Sequence, residues 1–255
     1  MKPFYNSALA LAIATSAILF GSGCKQGEIP PPIPVTEHHI LGVWAGTATN
    51  ATETIPYFLT LKPDGTCSFE GITAGSVENF GAGTYSVSNG TVTATLVTLY
   101  GVSTNIGVKQ SVKGTFDSKA GTLTSLTWED IAGATDHGTF KLEKLGADIQ
   151  GVWVGTASNA AETIPYFLTL KADGTCSFEG ITAGSVENFG TGTYSVSGTA
   201  FTGSLNTLYG VSTNIGVKQS IKGTFDSKAG TLTSLTWEDT FGATDNGTFI
   251  LAKAN

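Results

Sequence analysis

Displaced by 109 positions, this 255-residue chain lies on itself without a gap. Gly42 to Lys144 matches Gly151 to Lys253 with 85 of 103 positions identical, and seven of the 18 differences fall between Asn89 and Val97. Whatever one unit folds into, the chain makes it twice. A unit of about 100 residues can bury a small core of its own, whereas the repeats of a solenoid are too short to fold singly. The duplication therefore predicts two tandem domains, residues 41–145 and 150–255, joined by a short linker.

The composition within a unit points to strands. Charged residues are only 13% of the chain, glycine numbers 33, and β-branched residues, threonine above all, are frequent. Apolar residues alternate with Thr, Ser or Lys, the period of a half-buried strand. Eight strands are predicted in the first unit: Leu41–Thr49, Ile55–Lys62, Thr66–Ile72, Gly81–Ser88, Thr91–Leu99, Ile106–Phe116, Thr122–Trp128 and Gly138–Lys144. Asp64-Gly65 and Asn89-Gly90 suit tight hairpins, because these residues tolerate positive φ. Every connection is short enough for neighbouring antiparallel strands, so the expected fold is all-β. It is an up-and-down meander closing into an eight-stranded barrel in each unit, with a β-sandwich as the alternative.

The segment ahead of the first unit has a different character. Lys2, the uncharged apolar stretch Ala8 to Phe20 and the small residues Gly21-Ser22-Gly23 form the three parts of a secretory signal, too short in its apolar run for a spanning helix. The run Leu19-Phe20-Gly21-Ser22-Gly23-Cys24 resembles the lipobox of bacterial lipoproteins, although Gly21 stands where that motif has leucine. The resemblance implies removal of residues 1–23, acylation of Cys24 and attachment to membrane lipid. Residues 24–40 then form a tether, with Pro30, Pro31, Pro32 and Pro34 favouring an extended spacer. The implied location is the cell envelope, lipid-anchored and facing periplasm or cell surface. Lys25 after the cysteine, rather than Asp, favours the outer membrane by the same likeness.

A second resemblance lies at the start of each unit. Gly42-Val43-Trp44 and Gly151-Val152-Trp153 are similar to the Gly-x-Trp that opens the first strand in the calycin barrels, the lipocalins and avidins. That likeness implies a Trp at the closed end of an eight-stranded meander and a small ligand held inside, with Lys144 as the basic partner of the Trp.

In a meander, alternate connections share an end. Three tight turns, Pro63 to Gly65, Asn89-Gly90 and Asp117 to Gly121, fall at one pole. Four longer loops fall at the other: Asn50 to Thr54, Thr73 to Phe80, Tyr100 to Asn105 and Glu129 to His137. Longer loops on a rigid barrel are where binding residues usually sit. This mouth carries Glu53, Glu78, Glu129, Asp130 and Asp136 beside Asn50, Asn79 and Asn105, with Phe80 and Tyr100, while Lys62, Lys119 and Lys144 lie at the turn pole. Strand parity turns Tyr57, Leu59 and Leu61 inward, together with Cys67 and Phe69 and the row Val108, Gln110 and Val112. The candidate ligand-binding residues are Glu53, Tyr57, Glu78, Asn79, Tyr100, Asn105, Gln110, Trp128 and Glu129. Their counterparts are Glu162, Tyr166, Glu187, Asn188, Tyr209, Asn214, Gln219, Trp237 and Glu238.

Other chemistry is not expected. The thirteen basic residues are all lysine and the net charge is −7, which disfavours nucleic acid and leaves no Arg fork for anionic ligands. His137 is replaced by Asn246 in the second unit, so no His serves both copies as a general base or metal ligand. Nucleophile elbows and phosphate loops are absent. The expectation is no catalytic residue, no metal and no cofactor. Cys67 and Cys176 occupy equivalent positions and are expected as two buried thiols, with a bridge between them as the alternative. The expected function is a cell-envelope lipoprotein whose two barrels bind a small, cationic or polyhydroxylated ligand at the long-loop end. The alternative is a surface-exposed interaction lipoprotein whose loops meet a macromolecule.

Overall fold

A computed structural model describes residues 40–132, 135–145, 149–242 and 244–254. The expected signal, Cys24 and all but the last residue of the expected tether lie outside the described residues. The first unit is β1 (Gly42–Thr49), β2 (Thr54–Leu61), β3 (Thr66–Thr73), β4 (Ser76–Ser88), β5 (Thr91–Tyr100), β6 (Lys109–Asp117), β7 (Thr122–Ala132) and β8 (His137–Lys144). The second repeats it as β9 (Gly151–Ser158), β10 (Thr163–Leu170), β11 (Thr175–Thr182), β12 (Ser185–Ser197), β13 (Ala200–Tyr209), β14 (Lys218–Asp226), β15 (Thr231–Phe241) and β16 (Asn246–Lys253). Each set pairs strand to sequential strand, antiparallel throughout, and closes first on last into a barrel. Closure removes both sheet edges.

The interior is filled at one end and hollow at the other. At the turn pole Trp44 is buried, packs edge-on against Phe116 and donates its indole N–H to the Ile40 carbonyl at 2.8 Å. Leu61, Cys67, Val92, Leu96, Val112 and Leu126 pack the same region. Cys67 and Cys176 are separate buried thiols, one in each core. Lys144 stands opposite Trp44 in the strand register.

Three strands differ from their predicted extents by three residues or more at one end, with consequences for the mouth. β4 begins at Ser76, because Ala74 and Gly75 both adopt positive φ (51° and 77°) and make a two-residue turn. The expected loop Thr73 to Phe80 is therefore mostly strand. β6 begins at Lys109, leaving residues 101–108 as a true loop, and β7 runs on to Ala132 through Glu129 and Asp130. Register shifts near the mouth occur at Gly71/Ile72, Phe80/Gly81 and Lys109/Gln110. Such bulges are common at barrel rims and re-aim the side chains beyond them.

The barrels meet through a pseudo-twofold interface, in which each contact recurs with the partners' roles exchanged. Lys62 pairs with Glu179 at 2.7 Å and Lys171 with Glu70 at 2.6 Å. Ser68 donates to Glu179 at 2.8 Å, and Ser177 to Glu70 at 2.7 Å. Each ammonium also lies 4.7 Å from an aromatic ring centroid, Lys62 over Phe167 and Lys171 over Phe58. Phe80 and Phe189 stack with centroids 3.6 Å apart, and Val43, Val152 and Phe167 form the apolar part. Lys62 is thus corrected from a surface cation of the turn pole to a side chain buried between barrels, 1% exposed. Phe80 is likewise a buried interface residue, not part of the mouth.

Candidate binding cavities in the two barrels

The hollow end of each barrel holds a cavity, of about 170 Å³ in the first and about 190 Å³ in the second. Its apolar wall is aromatic. Tyr57 on β2 stacks on Phe69 of β3 (centroids 5.5 Å apart, planes within 7°) and leans on Phe140 of β8 at 4.8 Å. Phe140 in turn lies 6.4 Å from Trp128 of β7. Trp128 is paired across the strands with Gly138, where a Cβ would come within 2.7 Å of the indole nitrogen. Only glycine leaves room for the ring there.

A polar network completes the rim. The Asn50 side-chain oxygen accepts the backbone N–H groups of Thr52 and Glu53 (2.9 and 2.8 Å), which turns its amide to donate to Asp136 at 2.6 Å. Asp130 accepts from Gln110 at 3.2 Å and from the backbone N–H of Asp136 at 3.0 Å. Asn105 donates to Asn79 at 3.4 Å. Asn79 is held against Gly101, where a Cβ would fall 2.2 Å from its amide oxygen and φ is +146°. The second barrel repeats the network, with Asn159 on Asp245, Gln219 on Asp239 and Asn214 on Asn188. Glu53, Asp130 and Asp136 are three carboxylates, and no basic side chain is among the described lining residues.

Against this order, four buried side-chain polar atoms lack a hydrogen-bond partner among the described residues. They are the Tyr57 hydroxyl and Trp128 Nε1, and their equivalents in Tyr166 and Trp237. All four residues line the two cavities. A buried polar group without a partner costs about 1–3 kcal/mol. Burial pushes the Tyr57 hydroxyl pKa well above its ordinary value, with the neighbouring Cys67 adding to the rise, so the group stays protonated and able to donate. Tyr166 behaves alike, beside Cys176.

Six of the nine candidates in each unit meet at the cavity: Glu53, Tyr57, Asn79, Asn105, Gln110 and Trp128, with Glu162, Tyr166, Asn188, Asn214, Gln219 and Trp237. Three do not, for reasons of parity. Glu78 has no partner of its own between the pairs Gly71–Asn79 and Ile72–Val77, and its carboxylate takes the Thr73 hydroxyl, as Glu187 does with Thr182. Leu99 is skipped between Phe80–Tyr100 and Gly81–Thr98, so Tyr100, like Tyr209, stands opposite the outward Phe80 or Phe189. Glu129 lies between the inward Trp128 and Asp130 and so faces out; its counterpart Glu238 accepts from Ser220 and Lys222 on the outer wall. Sequence reasoning placed Asn50, Asp130 and Asp136 at the mouth without counting them among the binding candidates, and it did not single out Phe140, yet all four line the cavity. The signal for Asp130 was present, since Trp128 inward sets Asp130 inward two residues later.

No family model and no curated protein matches this chain. Among solved structures, a Bacteroides fragilis NCTC 9343 protein provisionally described as an outer membrane protein aligns over 86% of this chain and 99% of its own. It is 14% identical with a TM-score of 0.31, a likeness too slight to carry an argument about function.

Proposed function

We propose that this chain is a lipid-anchored cell-envelope protein whose two barrels each bind a small cationic or polyhydroxylated ligand in the mouth cavity. The observation that carries the reading is the unpartnered pair of donors, Tyr57 and Trp128, repeated as Tyr166 and Trp237. A protein that buries the same two unsatisfied groups twice, each time in a cavity wall, has a use for them. Three carboxylates with no basic side chain among the described lining residues set the ligand's class, because an anion would be repelled. Attachment is assigned to Cys24 rather than to the barrel wall. The outward side chains of β6 are Lys109, Ser111, Lys113 and Thr115, while Val112 and Phe116 face in, the reverse of a membrane-spanning barrel.

Two experiments test this. Cys24→Ala should leave the protein uncleaved or release it from membranes, and unchanged fractionation and processing would sink the anchor. Small polar compounds screened against the soluble part of the chain should include some that raise its unfolding temperature, as any ligand of the native state must. Ala48→Phe with Ala157→Phe places a ring in each cavity and should abolish that shift; its persistence would place the ligand elsewhere. A second reading has one observation of its own. Val102 and Ile106 in the mouth loop are 48% and 53% exposed, as are Val211 and Ile215, which suits a mouth that docks on a macromolecule. In that case the cavity-filling variants would leave partner binding intact.

A further inference from the structure

Resting on the reading of these cavities as ligand sites, we infer that the occupant is a neutral, polyhydroxylated single ring, a free monosaccharide in chemical class, and not a cation. The decisive groups are again Tyr57 and Trp128. An indole N–H can only donate, so whatever satisfies Trp128 must present an acceptor. An ammonium or quaternary nitrogen has none. The Tyr57 hydroxyl, buried in the wall at 5% exposure, also has its donor free. A ligand that places acceptors at both groups relieves two buried penalties at once, in each barrel.

The rim asks for the opposite. Glu53, Asp130 and Asp136 offer only acceptors, and the Asn79 and Gln110 side chains keep carbonyl lone pairs beyond the contacts they already make. The occupant must therefore accept at the aromatic wall and donate at the rim. A hydroxyl does both, and a ring carrying several presents them all round its edge, while its C–H faces can lie against Phe140, Trp128 and Tyr57. Size selects one ring. About 170 and 190 Å³ is close to the roughly 150 Å³ engineered cavity that admits benzene, and below the ~300 Å³ at which drug-sized pockets begin. The carboxylates do not by themselves require a cation, because neutral donors already engage two of them: Asp136 takes Asn50 and the His137 N–H, and Asp130 takes Gln110 and the Asp136 N–H.

The test is titration calorimetry on the full processed chain with glucose, galactose and mannose, with tetramethylammonium, and with benzene. At least one sugar should bind at two sites per chain. Tyr57→Phe combined with Tyr166→Phe should weaken that sugar about tenfold while raising the unfolding temperature of the ligand-free protein, since the variant deletes an unsatisfied hydroxyl. A tyrosine of purely structural value would lose stability instead, and that result overturns the inference. Trp128→Phe with Trp237→Phe, which keeps a ring and removes the N–H, should weaken the sugar likewise. Sugar affinity unmoved by both pairs of variants would overturn the role of the donors. Binding of tetramethylammonium or benzene with no sugar response defeats the polyol assignment but leaves the cavities as ligand sites. No binding by any probe, with the variants also unaltered in stability, removes both.

Discussion

Cys67 and Cys176 show how much one atom's surroundings decide. Each thiol is buried, and burial pushes its pKa from the ordinary 9.0 up to about 12, against a smaller opposing pull from Lys62 or Lys171. Below pH 9 the thiols are protonated in folded and unfolded chains alike and contribute no pH dependence. Between about pH 9 and 12 the unfolded chain gives up protons that the folded chain keeps, so stability must fall as pH rises. The slope is roughly 1 kcal/mol per pH unit for each thiol. Tyr57 and Tyr166, also raised by burial, add to the loss above pH 10. Urea unfolding at successive alkaline pH values should show this decline, and Cys67→Ala with Cys176→Ala should flatten it at the cost of a small cavity penalty. An unchanged slope would mean that the thiols are not buried as described. The same sequence positions were legible beforehand as inward-facing, because period-two alternation needs no tertiary information.

At the scale of the strand, alternation is also where reading ahead of the structure stops working. Parity placed Tyr57 and Gln110 inside, and each lines its cavity, as does the candidate Trp128. Glu78 and Tyr100, expected in mouth loops, lie instead in strands where a bulge inserts one unpaired residue and exchanges the two faces of everything beyond it. Nothing in Ser76 to Phe80 announces the bulge: no glycine sits in that stretch, and the Ala74-Gly75 turn that displaces it looks like the middle of a loop. Glu129 failed for a simpler reason, since the strand runs four residues further than Trp128. Asp130→Asn with Asp239→Asn alters the Gln110 and Asp136 contacts and should weaken ligand binding about tenfold. Glu129→Gln with Glu238→Gln, one residue away on the outer wall, should leave it within twofold. Equal effects from the two pairs would show that charge at the rim matters and side-chain direction does not.

The whole molecule adds what neither residue nor strand patterns could supply, the interface between the barrels. Duplication made two domains legible, but two near-identical units also offer each other near-identical surfaces, and sequence does not say which pair will meet. Lys62 ends a strand beside a turn and has the look of a solvent-facing cation; Glu70 sits in β3 between apolar residues without an evident partner. The fold brings each to the other's copy, leaving the side chains of Lys62 and Glu179 1% and 5% exposed. Burying such a pair is costly, so its attraction and the Ser68 hydrogen bond mainly offset desolvation, and its net contribution to stability is small. Removing one partner is different, because it strands a charge in the dry interface. Lys62→Met should therefore destabilise the protein by about 3–5 kcal/mol, despite adding apolar surface beside Phe167. Adding Glu179→Leu should recover most of that loss, because two apolar side chains of similar volume need no compensation. Denaturant unfolding of the wild type, both single variants and the double variant closes the thermodynamic cycle and isolates the pair. A cost below about 1 kcal/mol for either single variant, the range of an exposed ion pair, would show that the barrels do not press these side chains together in solution.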